Sequence, residues 1–561
     1  MARFFRISQC GIVAILAAMS VTVLYAAASW NNQFVYDDHE VIENQYPIHS
    51  VADAIQIFRE PHYLNFPYYR PITRLTLALQ KTIWGDSPRP FHLFNAMLAG
   101  ALLLSTVALL RRPCFAITPS AALITAIWFA LHPAVSECVY PAASGRETLL
   151  PALFIVLSIW AYLRPDWIGY SWAILLFAVA LLCKEQAAVI PGLFFLADIL
   201  GLAGRKKWWL GYAPILAIIA GYFFARHLIF HGSSLHLNIQ SDPAGPAWAM
   251  LYGLQTAVTP FWRLHYEPTR QVWFDPALSG VAFIVLGILI VFIGKCSRPI
   301  KLASLFWLGW FMLLQLPTAH IFLQEAPFSE RYAALAILGF GATVSAVAGD
   351  RLRRPISRKI AAVAALIAAG IFGWFSFLRG SYYIDDTSFC IGWVESDANS
   401  PGAHRGLGYI AQEQHDYPTA IREYQETLLL DPNDRSARNN VANLLAAQGR
   451  WIEARQQFDF LLREDPSDAE VMVNDAKMLE QEAFQRRDAS LLNQARNLLD
   501  RAIQLRQRYA PAHYALGLWY QSVGARNLAI EEFRTCLQLR PDWPDAQTHL
   551  QQVLALPTTS P

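Results

Sequence analysis

The sequence predicts an all-α protein in two parts, a polytopic membrane core of about 11 transmembrane helices followed by an α-solenoid. Three observations carry that expectation. Over 561 residues the chain is 54% hydrophobic and only 16% charged, too apolar for a soluble multidomain protein. Apolar runs of spanning length or slightly less recur through the first two thirds. Beyond about residue 397 the composition turns polar and helical, with an internal period.

The first apolar run covers roughly residues 7 to 29, behind Arg3 and Arg6, and reads as an uncleaved anchor rather than a leader. Ten more lie near 92–110, 118–132, 147–163, 168–183, 186–202, 208–230, 277–294, 302–317, 332–349 and 360–378. Lys and Arg test the resulting topology. With the N-terminus in the cytoplasm, 16 cations fall in the short inside segments and only 10 in the much longer outside segments. Residues 1–379 are therefore expected as the membrane core, with outside loops at 30–91 and 231–276, then a linker at 380–396 and the solenoid at 397–556. Within the first loop, residues 71–79 are apolar but short and carry Arg74, which suits a helix lying along the interface.

The net charge of +2 sums two unlike parts and points to no nucleic-acid partner. Seven cysteines show no CxxC and no metal-ligand spacing, so they read as small hydrophobes.

Ala420, Ala454, Ala495 and Ala529 are each followed four residues later by Tyr424, Phe458, Leu499 and Phe533, at spacings of 34, 41 and 34. Thirty-four is the tetratricopeptide (TPR) period, in which small residues let paired helices approach and an aromatic fills the gap. Leu407-Gly408, Val441-Ala442 and Leu516-Gly517 supply the small position of the first helix. Four repeats are expected, the longer one holding a lengthened inter-helix turn near 484–491. Such a solenoid offers a concave groove to an extended peptide, or serves as a rigid spacer or an oligomerisation surface.

Chemistry gathers at one boundary. Tyr36-Asp37-Asp38-His39-Glu40 follows the first run closely, and Arg70, His92, Glu137, Arg146, Glu147, Lys184, Glu185, Glu330 and Arg331 all fall at outside ends of runs in this topology. Ions persist there when they pair or line a wet cavity, since burial in hydrocarbon costs roughly 3 kcal/mol or more. Cations of this kind suit a phosphate and the carboxylates suit a hydroxyl acceptor or a sugar. Snorkelling or helix-end pairing is the plain alternative for each one taken singly.

Phe34-Val35-Tyr36-Asp37-Asp38, the YRP at 69–71, RPFHLFN at 89–95, GRE at 145–147, CKEQ at 183–186 and SERY at 329–332 recur in this order. In them the chain resembles the transmembrane-and-tetratricopeptide (TMTC-like) protein O-mannosyltransferases and their bacterial relatives. The resemblance implies a GT-C-type glycosyltransferase taking a sugar from a polyprenyl or dolichyl phosphate, with inversion at the anomeric carbon. It makes Asp37 the base, while Asp38 would orient the acceptor or hold a divalent metal, for which no further ligands are evident. Arg70, Arg146, Lys184 and Arg331 would receive the phosphate. His92, Glu137, Glu147, Glu185 and Glu330 would support them, and no cofactor is expected beyond the lipid-linked donor. Loop economy and the short repeat array suit a bacterial inner membrane with a periplasmic solenoid better than the endoplasmic reticulum. A non-catalytic TPR membrane scaffold and an oligosaccharide ligase or polymerase share this topology. A transporter would instead need charges near mid-membrane.

Overall fold

A computed structural model describes residues 9–43, 47–60, 62, 68–204, 211–230, 245–260, 266, 274–318, 329–352, 354–540 and 543–555. Among these residues every regular element is helical, without a strand. The chain divides into two compact units, Met1–Ala398 and Asn399–Pro561. Much of the expected outside loop at 231–276, with Arg263 and Arg270, lies outside the described residues, as do Arg3, Arg6 and Arg205 to Lys207.

Seven described helices are long and apolar enough to cross a membrane: Gln9–Ala28, Pro88–Leu110, Ala142–Tyr162, Tyr212–Ile229, Pro276–Gly294, Glu330–Arg351 and Pro355–Tyr383. The other four apolar runs form shorter or more polar helices, Pro119–Ala130, Trp167–Cys183, Ile190–Ile199 and Arg298–Gln315, the third of them only 10 residues long. The helices Pro88–Leu110, Ala142–Tyr162 and Glu330–Arg351 are buried over most of their length. Around them Gln9–Ala28, Tyr212–Ile229, Pro276–Gly294 and Pro355–Tyr383 turn most of their surface outward. That surface carries Leu16, Met19 and Val23, then Phe283, Ile284 and Ile288, then Ile360, Val363 and Ile367. Apolar faces of this extent suit lipid and not water, which makes the first unit a multi-pass membrane protein.

Residues 71–79 belong to the helix Pro71–Trp84, which buries Thr73, Leu77, Ala78 and Gln80. The stretch 380–396, read from the sequence as a linker, is built differently. It forms a 3-10 turn, Gly380–Tyr383, and a helix, Asp386–Ser396, that group with the first unit. Asp385 caps that helix by accepting the Ser388 N–H, and Phe389, Cys390 and Trp393 are buried.

The second unit is four helix pairs followed by a last helix, Pro544–Ala555. Asp416, Asp434, Asp468 and Asp488 each cap a helix through the side chain. Ala420, Tyr424, Ala454, Phe458, Ala495, Leu499, Ala529 and Phe533 share one buried core. A Cβ at Gly408 or Gly517 would stand 2.7 Å from the Tyr424 ring or 2.6 Å from the Phe533 ring, which is why the small position must be glycine there. The insertion in the third repeat is a correction to the sequence reading. It lengthens the helices, not the turn: Ala469–Arg486 has 18 residues against 13 in Arg435–Ala447, and Ala489–Leu505 has 17 against 14 in Trp451–Glu464. Only Arg487 and Asp488 join them, Arg487 in the left-handed region at φ +55°.

Candidate active site

The polar boundary is made of helix ends, where backbone groups lack intrahelical partners and charged side chains find them. Arg70 precedes Pro71–Trp84, Arg146 and Glu147 sit in the first turns of Ala142–Tyr162, and Lys184 closes Trp167–Cys183. Glu330 and Arg331 open Glu330–Arg351, and Arg379 ends Pro355–Arg379.

Asp38 is fully buried and its carboxylate is taken up by the chain itself. Oδ1 accepts the Ala143 N–H at 2.6 Å, and Oδ2 accepts those of Ala142 at 3.1 Å and Val35 at 3.2 Å. Ala142 and Ala143 are the first residues of Ala142–Tyr162, so an acid caps that helix from 104 residues away. Burial pushes the Asp38 carboxyl up to about 7 against these three donors. The resemblance implies an Asp38 that orients the acceptor or holds a metal; here its oxygens fasten the loop to the helix.

Asp37 points elsewhere. It lines a small cleft with Val35, Tyr36, Pro141, Ser144, Tyr266, Tyr383 and Phe389. The Tyr266 hydroxyl stands 3.5 Å from its Oδ2. Burial pushes its carboxyl up to about 6, the Arg331 charge pulling the other way. Arg331 lies 4.6 Å over the Tyr266 ring, and its Nη1 is 3.9 Å from Glu137. Glu137 also accepts from the Ser329 hydroxyl at 2.5 Å and the Arg331 N–H at 3.1 Å.

The four expected phosphate cations differ in what they already hold. Arg70 is clamped between two carboxylates, donating to Glu147 and, at 2.5 and 3.0 Å, to Glu185, while stacking on Tyr68. Glu147 also takes the ring of His62 at 2.6 Å. Arg146 is fully buried among neutral acceptors, Asn95 at 2.8 Å, Gln80 at 2.5 Å and Thr76 at 3.3 Å, with Phe94 against its guanidinium. Lys184 is 5% exposed and its ammonium has no hydrogen bond among the described residues, only the Tyr332 ring at 5.8 Å. Burial and the Arg70 charge pull it down to about 8, with Glu147 and Glu185 opposing. Glu330 pairs at 2.5 Å with Arg379, whose Nη1 also donates to the Pro133 carbonyl at 2.8 Å. His92 reaches back to the Gln33 carbonyl at 3.2 Å and so steadies the loop that carries Asp37.

Asp37, Arg331, Glu147, Arg70, Glu185 and Lys184 thus form one electrostatically coupled cluster, with Arg146 held to one side of it. Sequence reasoning missed Asn95, Thr76 and Gln80, whose neutral side chains carry no charge signal, and also Arg379 and Tyr266. It missed Asp386 too, although a second Asp-Asp pair just beyond the last apolar run was there to be noticed. No group of three His, Cys, Asp or Glu suited to a metal occurs among the described residues.

No family model matches the chain. Among curated proteins, the mouse protein O-mannosyl-transferase TMTC4 is 30% identical over 213 residues, 32% of this chain and 28% of that protein. The human protein O-mannosyl-transferase TMTC3 is 20% identical over 575 aligned residues, 88% of this chain and 60% of that protein. The matches therefore span about a third of TMTC4 or less, and under two thirds of TMTC3. Among solved structures, a thermophilic TPR protein from Thermus thermophilus is 23% identical, covering 28% of this chain and 81% of that one at a TM-score of 0.26. The curated homologues of this multi-pass, repeat-bearing chain are protein O-mannosyltransferases.

Proposed function

We propose that the chain is a membrane glycosyltransferase that moves a mannosyl group from a polyprenyl-phosphate donor to a protein hydroxyl on the non-cytoplasmic face. The observation that carries this reading is the pairing, in one cluster, of a cleft-lining carboxyl held near 6 with a buried ammonium that has no hydrogen bond among the described residues. The names of the homologues supply the sugar and the acceptor class. The distribution of Lys and Arg supplies the side of the membrane.

In this reading the acceptor hydroxyl attacks the anomeric carbon of the donor. Its proton passes to Asp37, the bond from that carbon to the phosphate oxygen breaks, and the lipid phosphate leaves with the bonding electrons. A base near 6 is ionised at neutral pH yet close enough to it to take a proton in the transition state. Lys184 and Arg331 face the growing charge on the phosphate, where fixed cations away from water count most. Arg70, engaged by Glu147 and Glu185, sets the place of those carboxylates and through them the field at Lys184. Asp38 and Arg146 hold Ala142–Tyr162 against the loop and the neighbouring helices. The repeat unit presents the protein acceptor.

The test is transfer in proteoliposomes from dolichyl-phosphate mannose to a serine- and threonine-rich peptide, read by intact mass. The wild type is expected to add one hexose per modified residue and Asp37→Asn to lose that activity. Equal transfer by Asp37→Asn would remove the base from the scheme, and no transfer by the wild type with mannosyl or glucosyl donors would remove the scheme itself.

A further inference from the structure

Tyr36, immediately before Asp37, adopts φ +51°, a left-handed backbone that a bulky side chain tolerates only when its surroundings enforce it. Local bonds close the turn, the Asp38 N–H to the Val35 carbonyl at 3.0 Å and the His39 N–H to the Tyr36 carbonyl at 3.2 Å, and groups from the far end of the unit and facing aromatics add to them. The Tyr36 N–H donates to Asp386 Oδ1 at 2.8 Å, across 350 residues. The other oxygen of Asp386 meets His39 Nε2 at 2.8 Å, and His39 Nδ1 meets Glu43 at 2.9 Å. The Tyr36 ring is boxed by Tyr266, Phe389 and Trp393 at centroid distances of 5.7, 5.8 and 5.9 Å. Phe389 and Trp393 lie on the same short helix as Asp386. Asp385 is spent on capping that helix, so its neighbour is left to reach across.

One carboxylate therefore bridges both sides of the Asp37–Asp38 pair, the residue before it and the residue after it. We propose that Asp386 is a positioning residue for Asp37, holding Tyr36 left-handed so that the Asp37 carboxyl turns into the cleft toward Arg331 and not into solvent. The inference rests on the glycosyltransferase reading. The His39–Asp386 contact is an ion pair at neutral pH, because that hydrogen bond and the one to Glu43 raise His39 to about 9 against partial burial. Without the carboxylate, the bond that ties the Tyr36 N–H to the far end of the unit is gone, and the loop relaxes toward an ordinary backbone, moving Asp37 by a peptide rotation.

The test uses full-length protein in proteoliposomes with the mannosyl transfer described above, rates being normalised to monodisperse folded protein. Asp386→Ala is expected to lower kcat at least tenfold with KM for the lipid donor within twofold, and to displace the acidic limb of the kcat/KM profile by half a pH unit or more. Asp386→Asn, which keeps one acceptor for the Tyr36 N–H, should recover part of kcat. A purely structural role would reduce the yield of folded protein and leave the rate per folded molecule and the acidic limb where they were, and that result overturns the proposal. Should Asp386→Ala not accumulate, Asp386→Asn and His39→Gln carry the same reading, with unchanged kcat and limb in both again decisive against it. Asp37→Asn runs alongside. If it transfers like the wild type, the base assignment fails, whereas loss in Asp37→Asn with none in the Asp386 variants sinks only the positioning role.

Discussion

In the repeat unit, Phe458 and Phe533 are buried against residues of their own and adjoining helices. In the membrane unit, Tyr36 is fixed by Asp386, 350 residues on, and Arg70 by Glu185, 115 residues on. Both units also bury charge. In the membrane unit Arg70 is held by Glu147 and Glu185, Arg379 by Glu330, and Arg146 by amides and a hydroxyl, while the Lys184 ammonium has no hydrogen bond among the described residues. The core of the repeat unit is mostly alanine, aliphatic side chains and aromatic rings, and two of its buried acids are met by arginines, Glu482 by Arg455 and Arg486 and Asp434 by Arg405. Asp475 occupies the position held by Leu407, Val441 and Leu516 in the other repeats; it is 6% exposed, and its Oδ1 has no hydrogen-bond partner among the described residues. Repeats stack against neighbours only, so a misfit residue there acts locally, while a misfit at the membrane boundary is transmitted to several distant segments at once.

The largest expected effect separates chemistry from scaffold. Asp37→Asn should lower transfer by about 10²–10⁴-fold, the range of a lost general base, with the melting temperature almost unmoved. For the wild type, kcat/KM should fall about tenfold per unit as the pH drops below about 6, because the protonated carboxyl cannot accept a proton. A pH profile flat from 5 to 8 would detach Asp37 from the rate.

Next is the pairing of buried ions. Arg379→Met leaves Glu330 buried without its cation and should cost roughly 3–5 kcal/mol of stability, read as the unfolding transition in detergent. A loss below about 1 kcal/mol would mean that the Arg379–Glu330 pair contributes little to holding its two helices together. Lys184→Met should behave in the opposite sense, lowering kcat/KM by about 10²-fold with stability retained, since no hydrogen bond is broken. If stability falls and catalysis does not, Lys184 is part of the scaffold like Arg146.

The smallest effect is in the repeats. Asp475→Leu should raise the stability of the repeat unit by about 1–3 kcal/mol, read as a shift in its thermal or urea transition within the full chain. Burial pushes the Asp475 carboxyl from 3.8 up to about 7, with Asp459 adding to the shift. A group raised on folding contributes its full stability below the unfolded value and loses it as pH rises through the folded one. The gain from Asp475→Leu should therefore be small at pH 4 and largest above pH 7. A gain independent of pH would assign the effect to packing alone.

The repeat pattern was legible because its signal is local: Ala, four residues to an aromatic, then a stop, each meeting only its neighbours. Even there the sequence misjudged the longer unit, since seven added residues look the same whether they lengthen a turn or continue two helices. At the membrane boundary, the ordered motifs marked Asp37, Arg70, Lys184 and Arg331 as chemically conspicuous. They could not show that Arg70 is spoken for by Glu147 and Glu185 while Lys184 is not, because that difference depends on which helix ends meet. Asp37 and Asp38 are adjacent and chemically identical in the sequence, and a turn of one residue sends one into the cleft and the other onto a helix start.

Hydropathy and periodicity by themselves determined an all-helical membrane chain with a repeat unit, since each is a sum over many residues that no single contact can reverse. Tertiary structure alone decided the division of labour within the charged cluster, the left-handed turn at Tyr36 and the reach of Asp386, because hydrogen bonds over 100 to 350 residues are set by how helices assemble and leave no mark on local composition.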